Sequence, residues 1–166
     1  MKKARNLLAA ALLASTTAAS ATKAETQLLQ MIASGQAYSA EQLMPLFEQL
    51  EPVSIEFMLG TWKGGKFDGG SEPDPINWYG KRFNSASDVE PLLVHGADGG
   101  IATYEALGRA QLREIRYAGK VSAALIYDKQ PIMDYFRKVN DDLVIGLGDI
   151  KGKPTDFFFH LSREQP

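Results

Sequence analysis

Two histidines, His95 and His160, and no cysteine make up the imidazole and thiol inventory of this 166-residue chain. A zinc site normally needs three or four protein ligands. With Asp149 the two histidines could converge inside a closed fold, but nothing in their spacing requires it. No metal site is therefore assigned, and the sequence identifies no cofactor. A single histidine can ligate haem. His160, however, directly follows Phe157-Phe158-Phe159, where it simply continues an aromatic strand.

The carboxylates Asp128, Asp134 and Asp149 invite a paired acid–base reading, which needs two such groups in unlike environments. Asp128 precedes Lys129-Gln130-Pro131 and reads as the opening of a turn. On an extended strand Asp134 and Arg137 face opposite sides, whereas Asp134 and Lys138 share one. Arg82 and Arg137 are the more telling cations. An arginine inside an apolar barrel must meet a carboxylate or an anionic ligand, because a buried unpaired charge is costly. Either could anchor a ligand head group, or pair with Asp134 or Asp149.

Several common chemistries lack their motif. No glycine-rich loop leads into Lys-Ser/Thr, no GxGxxG opens a helix, and no Gly-x-Ser-x-Gly elbow occurs. Lys81-Arg82 and Arg137-Lys138 are too short for a nucleic-acid footprint.

The elements that must position these residues begin after a leader. Lys2, Lys3 and Arg5 precede a Leu/Ala run from Leu7 to Ala14, followed by small residues through Ala19-Ser20-Ala21. This layout predicts a secretory signal peptide over 1–21, with cleavage after Ala21 or alternatively after Ala24. The apolar run is shorter than the roughly 20 residues a transmembrane helix needs, so no anchor is expected after cleavage. Location is then periplasmic or secreted. The leader holds three basic residues and no acidic one, so its loss takes the formal charge from −2 to −5, with 15 basic against 20 acidic residues. Such a balance does not suit nucleic acid, whose recognition rests on clustered Lys and Arg.

Residues 22–52 read as helical. Leu28, Leu29 and Ile32 predict a helix over Glu25–Ser34, with Gly35 as its C-terminal cap. Ser39 and Gln42 form a capping-box pattern before Leu43, Leu46, Phe47 and Leu50, although Pro45 threatens this second helix and Pro52 should stop it. From residue 53 to 166 one β domain follows. Apolar and aromatic runs predict strands over 57–67, 78–83, 89–95, 101–107, 111–117, 121–127, 134–139, 143–150 and 157–162. Turn signals such as Gly99-Gly100, Ala118-Gly119-Lys120 and Asn140-Asp141-Asp142 separate them. The fold class is mainly β: a small antiparallel β-barrel with N-terminal helices, or a two-sheet sandwich, which periodicity cannot separate from it.

Gly60-Thr61-Trp62-Lys63-Gly64 stands at the start of the strand region, with residues 60, 62 and 64 on one face. Glycines beside the indole leave room for Trp62 to plug a barrel end, its N–H reaching a carbonyl. With this motif go Trp78-Tyr79-Gly80-Lys81-Arg82-Phe83, the block from Val121 to Asp128, Asp134-Tyr135-Phe136-Arg137-Lys138-Val139 and Gly146-Leu147-Gly148-Asp149. In these blocks the chain resembles the GXWXG / DUF4334 proteins. The GXWXG half spans about 54–107 and the DUF4334 half about 108–163, as two halves of one barrel. The resemblance implies a calycin- or lipocalin-like barrel, and it implies no activity. Where the family usually has a Gly-His pair after Phe67, this chain reads Gly69-Gly70-Ser71-Glu72. The segment 102–113 is compact, which leaves little chain for a lid.

The expected function is an exported barrel that binds a small hydrophobic molecule, with an anionic head group as one option. Trp62, Trp78, Tyr79, Phe136 and Phe159 would form the wall, and Arg82, Arg137, Asp149 and His160 the polar contacts. One alternative is a structural or partner-binding envelope protein. Another is a hydrolase or isomerase using Asp134 or Asp149 with His160, which requires those side chains to converge on one cavity.

Overall fold

The computed structural model describes residues 21–165. The expected signal peptide falls almost wholly outside the described residues. Helix α1 spans Lys23–Ser34. Thr22 and Glu25 cap it reciprocally, each side chain accepting from the other's backbone N–H, and Gly35 ends it at φ 62°. That left-handed value suits glycine, as the sequence requires. Helix α2 spans Ala40–Gln49 behind the Ser39/Gln42 capping box. Pro45 lies inside it without ending it, and the helix stops at Leu50, before Pro52.

Nine strands follow: β1 Gly60–Lys66, β2 Trp78–Ser85, β3 Asp88–His95, β4 Ile101–Thr103, β5 Ala110–Tyr117, β6 Lys120–Tyr127, β7 Ile132–Asn140, β8 Leu143–Ile150 and β9 Phe157–Arg163. All pairings are antiparallel, in the order β2-β1-β9-β8-β7-β6-β5-β3-β4. A further β2–β3 pairing closes eight of them into a ring and leaves β4 as an appendage. The closed ring makes this a barrel and rules out the open sandwich. Seven of its eight seams are ladders of three or more register pairs, with bulges in β2–β3 and β7–β8. The β3–β5 seam holds a single register pair, Val89 with Ala110, helped by the Leu112 N–H donating to Ala86 O.

Two local expectations change. Residues 57–58 are not strand: Ser54 caps a short helix, α3, over Ile55–Met58, its hydroxyl accepting from Phe57 N–H at 3.1 Å. The run 101–107 yields only the three-residue β4, followed by a 3₁₀ turn at Glu105–Leu107.

Strand alternation divides the apolar residues into two cores. Inside the barrel lie Trp62, Phe83, Leu112, Leu125, Phe136 and Phe159. Between its outer wall and α1–α2 lie Leu28, Leu43, Phe47, Ala124, Ile145 and Phe158. Phe158 meets Phe47 edge-on at 5.7 Å, so the helices cover the outward ring of the Phe run. Each such fully buried side chain contributes about 1.5–3 kcal/mol, which explains why a hairpin of two short helices docks stably.

Candidate functional site

One end of the barrel is sealed. Trp62 is fully buried, and its Nε1–H donates to Met58 O at 2.7 Å, tying the indole to α3. The Arg163 guanidinium lies 4.1 Å above the indole and donates to Leu59 O and Phe57 O. Trp62 is thus a barrel-end plug with its N–H on a carbonyl, as expected, although the flanking glycines face Arg163 and Trp78 rather than its own ring. The backbones of β1 and β2 press together here: a Cβ on Gly80 would sit 1.9 Å from Trp62 O.

The opposite end is open. A cavity of about 970 Å³ runs inward from the mouth formed by the β1–β2 loop and the α1–α2 connection. Trp78, Leu92, Leu107, Ile132, Phe157 and Phe159 give it apolar walls. Its buried polar lining is Lys81, Tyr127 and Asp134. Lys81 Nζ donates to Pro91 O at 3.0 Å and to Tyr127 Oη at 3.1 Å. It also stands 2.9 Å from Asp134 Oδ2 in a buried ion pair. The ammonium also lies 5.0 Å from the Phe159 ring centroid.

Burial alone would lower the Lys81 pKa, but attraction to Asp134 and Tyr127 outweighs it and holds the amine above its ordinary value. Burial, reinforced by the Asp134 carboxylate, pushes Tyr127 up to about 12. The two therefore stay protonated at neutral pH, unsuited to nucleophilic or basic work there.

The residues expected to form the site separate into three groups. Trp78 and Phe159 line the cavity. Trp62 and Phe136 belong to the packed interior beyond it, Phe136 lying edge-on to Phe83 and Phe159. Tyr79, Arg82, Arg137, Asp149 and His160 are not on the cavity wall. Tyr79 bonds Glu164 and lies edge-on to His95. Arg82 donates to Thr61 and pairs with Glu90 at 3.2 Å. Arg137 is buried against the helices, donating to Phe136 O and Tyr117 O with its guanidinium 5.0 Å from the Phe47 ring. It meets neither of the expected carboxylates, and burial lowers its pKa. Asp149 accepts from the Tyr135 hydroxyl at 2.9 Å. His160 packs edge-on to Phe67 with Nδ1 unpartnered, and burial lowers its pKa to about 4. Asp149 and His160 thus lie on the helix side of the wall and Asp134 on the cavity side. The convergence an acid–base enzyme requires of them does not occur.

The cation inside is Lys81, which strict alternation from Trp78 would place on the opposite face. The β2–β3 register slips between Trp78 and Gly80, which pair with Val94 and Leu93 respectively. This bulge turns both Trp78 and Lys81 inward although they are three residues apart. The available signal was Phe83, two residues after Lys81 and therefore on its face.

Comparison with known proteins agrees with this architecture. A crystal structure of a protein from Thermomonospora curvata is similar at a TM-score of 0.80 and 50% sequence identity, covering 87% of this chain and 100% of that one. No curated protein matches. Residues 45–99, which hold the plug and strands β1–β3, match the GXWXG protein model, and residues 108–163, strands β5–β9, match the domain of unknown function DUF4334. The chain belongs to the GXWXG / DUF4334 family.

Proposed function

We propose that this barrel binds a small, largely apolar molecule in the cavity at its open end, as an exported protein of the periplasm or the extracellular medium. The observation that carries this reading is the cavity itself: about 970 Å³, walled by aromatic and aliphatic side chains, with a few buried polar groups at one place. Ligand sites have this size and make-up. Binding is favoured over catalysis because Lys81 and Tyr127 are held in their protonated forms and Asp149 and His160 face elsewhere. Export rests on the basic, apolar and small-residue pattern of 1–21. Cleavage after Ala21 would keep Thr22, which caps α1. Cleavage after Ala24 would remove both that cap and a buried alanine.

Native mass spectrometry of the mature protein, purified from its native envelope fraction, tests the reading. The expected result is a non-covalent adduct of reproducible mass that is absent under denaturing conditions. A bare mass, together with no uptake of added ten-carbon amphiphiles, would overturn it.

A further inference from the structure

The polar end of the ligand is readable from how the cavity's charges are spent. This step rests on the binding reading above. The lining carries two ammonium groups, Lys66 and Lys81, against the carboxylates of Asp68, Glu72, Asp74, Asp134 and Asp156. Lys66 is committed to Asp68 at 2.8 Å and Lys81 to Asp134 at 2.9 Å. Glu72, Asp74 and Asp156 therefore leave the exposed rim negative. Exposed charges act weakly through water, and more weakly still in salt. The rim biases entry, and the buried groups decide.

There the asymmetry is chemical. The three Lys81 donors are taken up by Pro91 O, Tyr127 Oη and, at 2.9 Å, Asp134 Oδ2, which also balances its charge. An incoming anion would find no free donor on Lys81 and would be set beside a buried carboxylate. Asp134, by contrast, is 3% exposed and lines the cavity, and while Lys81 holds its Oδ2, no hydrogen bond among the described residues reaches its Oδ1. A buried acceptor left in this state gains from a donor.

We infer that the ligand's polar end is a hydrogen-bond donor, a hydroxyl or an ammonium group, seated on the Asp134 carboxylate, and that chains ending in carboxylate are rejected. This reverses the anionic head group entertained for Arg82 and Arg137, both of which lie off the cavity wall.

The test is a calorimetric titration of the mature protein with four probes of equal chain: 1-decanol, decylammonium, decanoate and decyl methyl ether. Decanol and decylammonium are expected to bind at least about tenfold tighter than decanoate and the ether, the gain from one charge-assisted hydrogen bond made in a buried site. A smaller gap overturns the inference while leaving the binding reading intact. Failure of all four probes removes the binding reading, and the inference with it. Asp134→Asn adds a second arm: by freeing Lys81 it should shift preference toward decanoate and away from decylammonium. An unchanged preference in the folded variant overturns the assignment to Asp134, and the wild-type series decides alone if the variant does not fold.

Discussion

Gly64 and Trp78 share one space: a Cβ added at Gly64 would lie 2.3 Å from the Trp78 ring. The second glycine of the Gly-Thr-Trp-Lys-Gly motif thus makes room for a tryptophan on the next strand rather than for the motif's own indole. The Trp78 ring rests on β1, its Nε1–H donating to Gly80 O at 3.0 Å, and forms part of the cavity wall.

Gly64→Ala must therefore push Trp78 into the cavity. Overpacking of this kind costs about 1–3 kcal/mol. The variant should unfold at lower denaturant, show a changed tryptophan emission and bind decanol more weakly. Unaltered affinity and emission would mean that the ring is accommodated elsewhere.

Trp62→Phe should act differently. It removes the Nε1–H bond to Met58 O and much of the stacking surface under Arg163. A loss of about 2–4 kcal/mol is expected, combining a hole in the core with a buried carbonyl left unpaired. The plug lies outside the cavity lining, so decanol affinity of the folded variant should not change. Equilibrium unfolding and calorimetry on the same sample separate the two effects.

Removal of Asp134 alone leaves Lys81 buried beside neutral partners. Breaking such a pair costs about 3–5 kcal/mol, whereas replacing both members by apolar residues of similar volume is often neutral or stabilising. Asp134→Asn should accordingly be much less stable than the double variant Lys81→Met/Asp134→Leu. Urea midpoints rank them, and equal midpoints would show that the pair is not electrostatically coupled.

His160 predicts a pH dependence. Its pKa falls from 6.5 to about 4 on folding, because burial disfavours the charged ring. The unfolded chain then binds the proton more readily, and stability rises with pH between about 4 and 6.5. The protein should lose about 1–3 kcal/mol as pH falls through that window, with little further loss from this group below it. Unfolding titrations of wild type and His160→Gln measure it; the variant should lack this part of the slope.

Helix boundaries were legible where capping is local chemistry: Ser39 with Gln42 and Gly35 declare themselves within a few residues, whereas α1 starts at Lys23, two residues before the expected Glu25, on a Thr22/Glu25 box that the reading of the sequence did not single out. The strands were legible because their apolar runs and turn residues alternate regularly. Ring closure was not, since the pairing of β2 with β3 as well as with β1 depends on curvature that no window of sequence carries. The site was half legible. Trp78 and Phe159 follow from aromatic composition, but the bulge after Trp78 breaks the period-two rule on which the face of Lys81 depends. Arg137 misleads for a related reason. It alternates with Phe136 and so turns toward the helices, where backbone carbonyls and the Phe47 ring receive it instead of a carboxylate.

The sparse β3–β5 seam has a consequence for how the molecule is divided. Within the ring of strands, the segments 45–99 and 108–163 adjoin along two lines: a full ladder where β1 meets β9, and the single Val89–Ala110 pair with its neighbouring hydrogen bond. Mechanically, the barrel is one curled ribbon buttoned at a single point. The covalent link between the segments crosses the same side, through the exposed Gly96–Gly100 reversal and β4. A break in the chain there would cut no ladder of the ring, and the two pieces would retain in the β1–β9 ladder the surface by which they recognise each other.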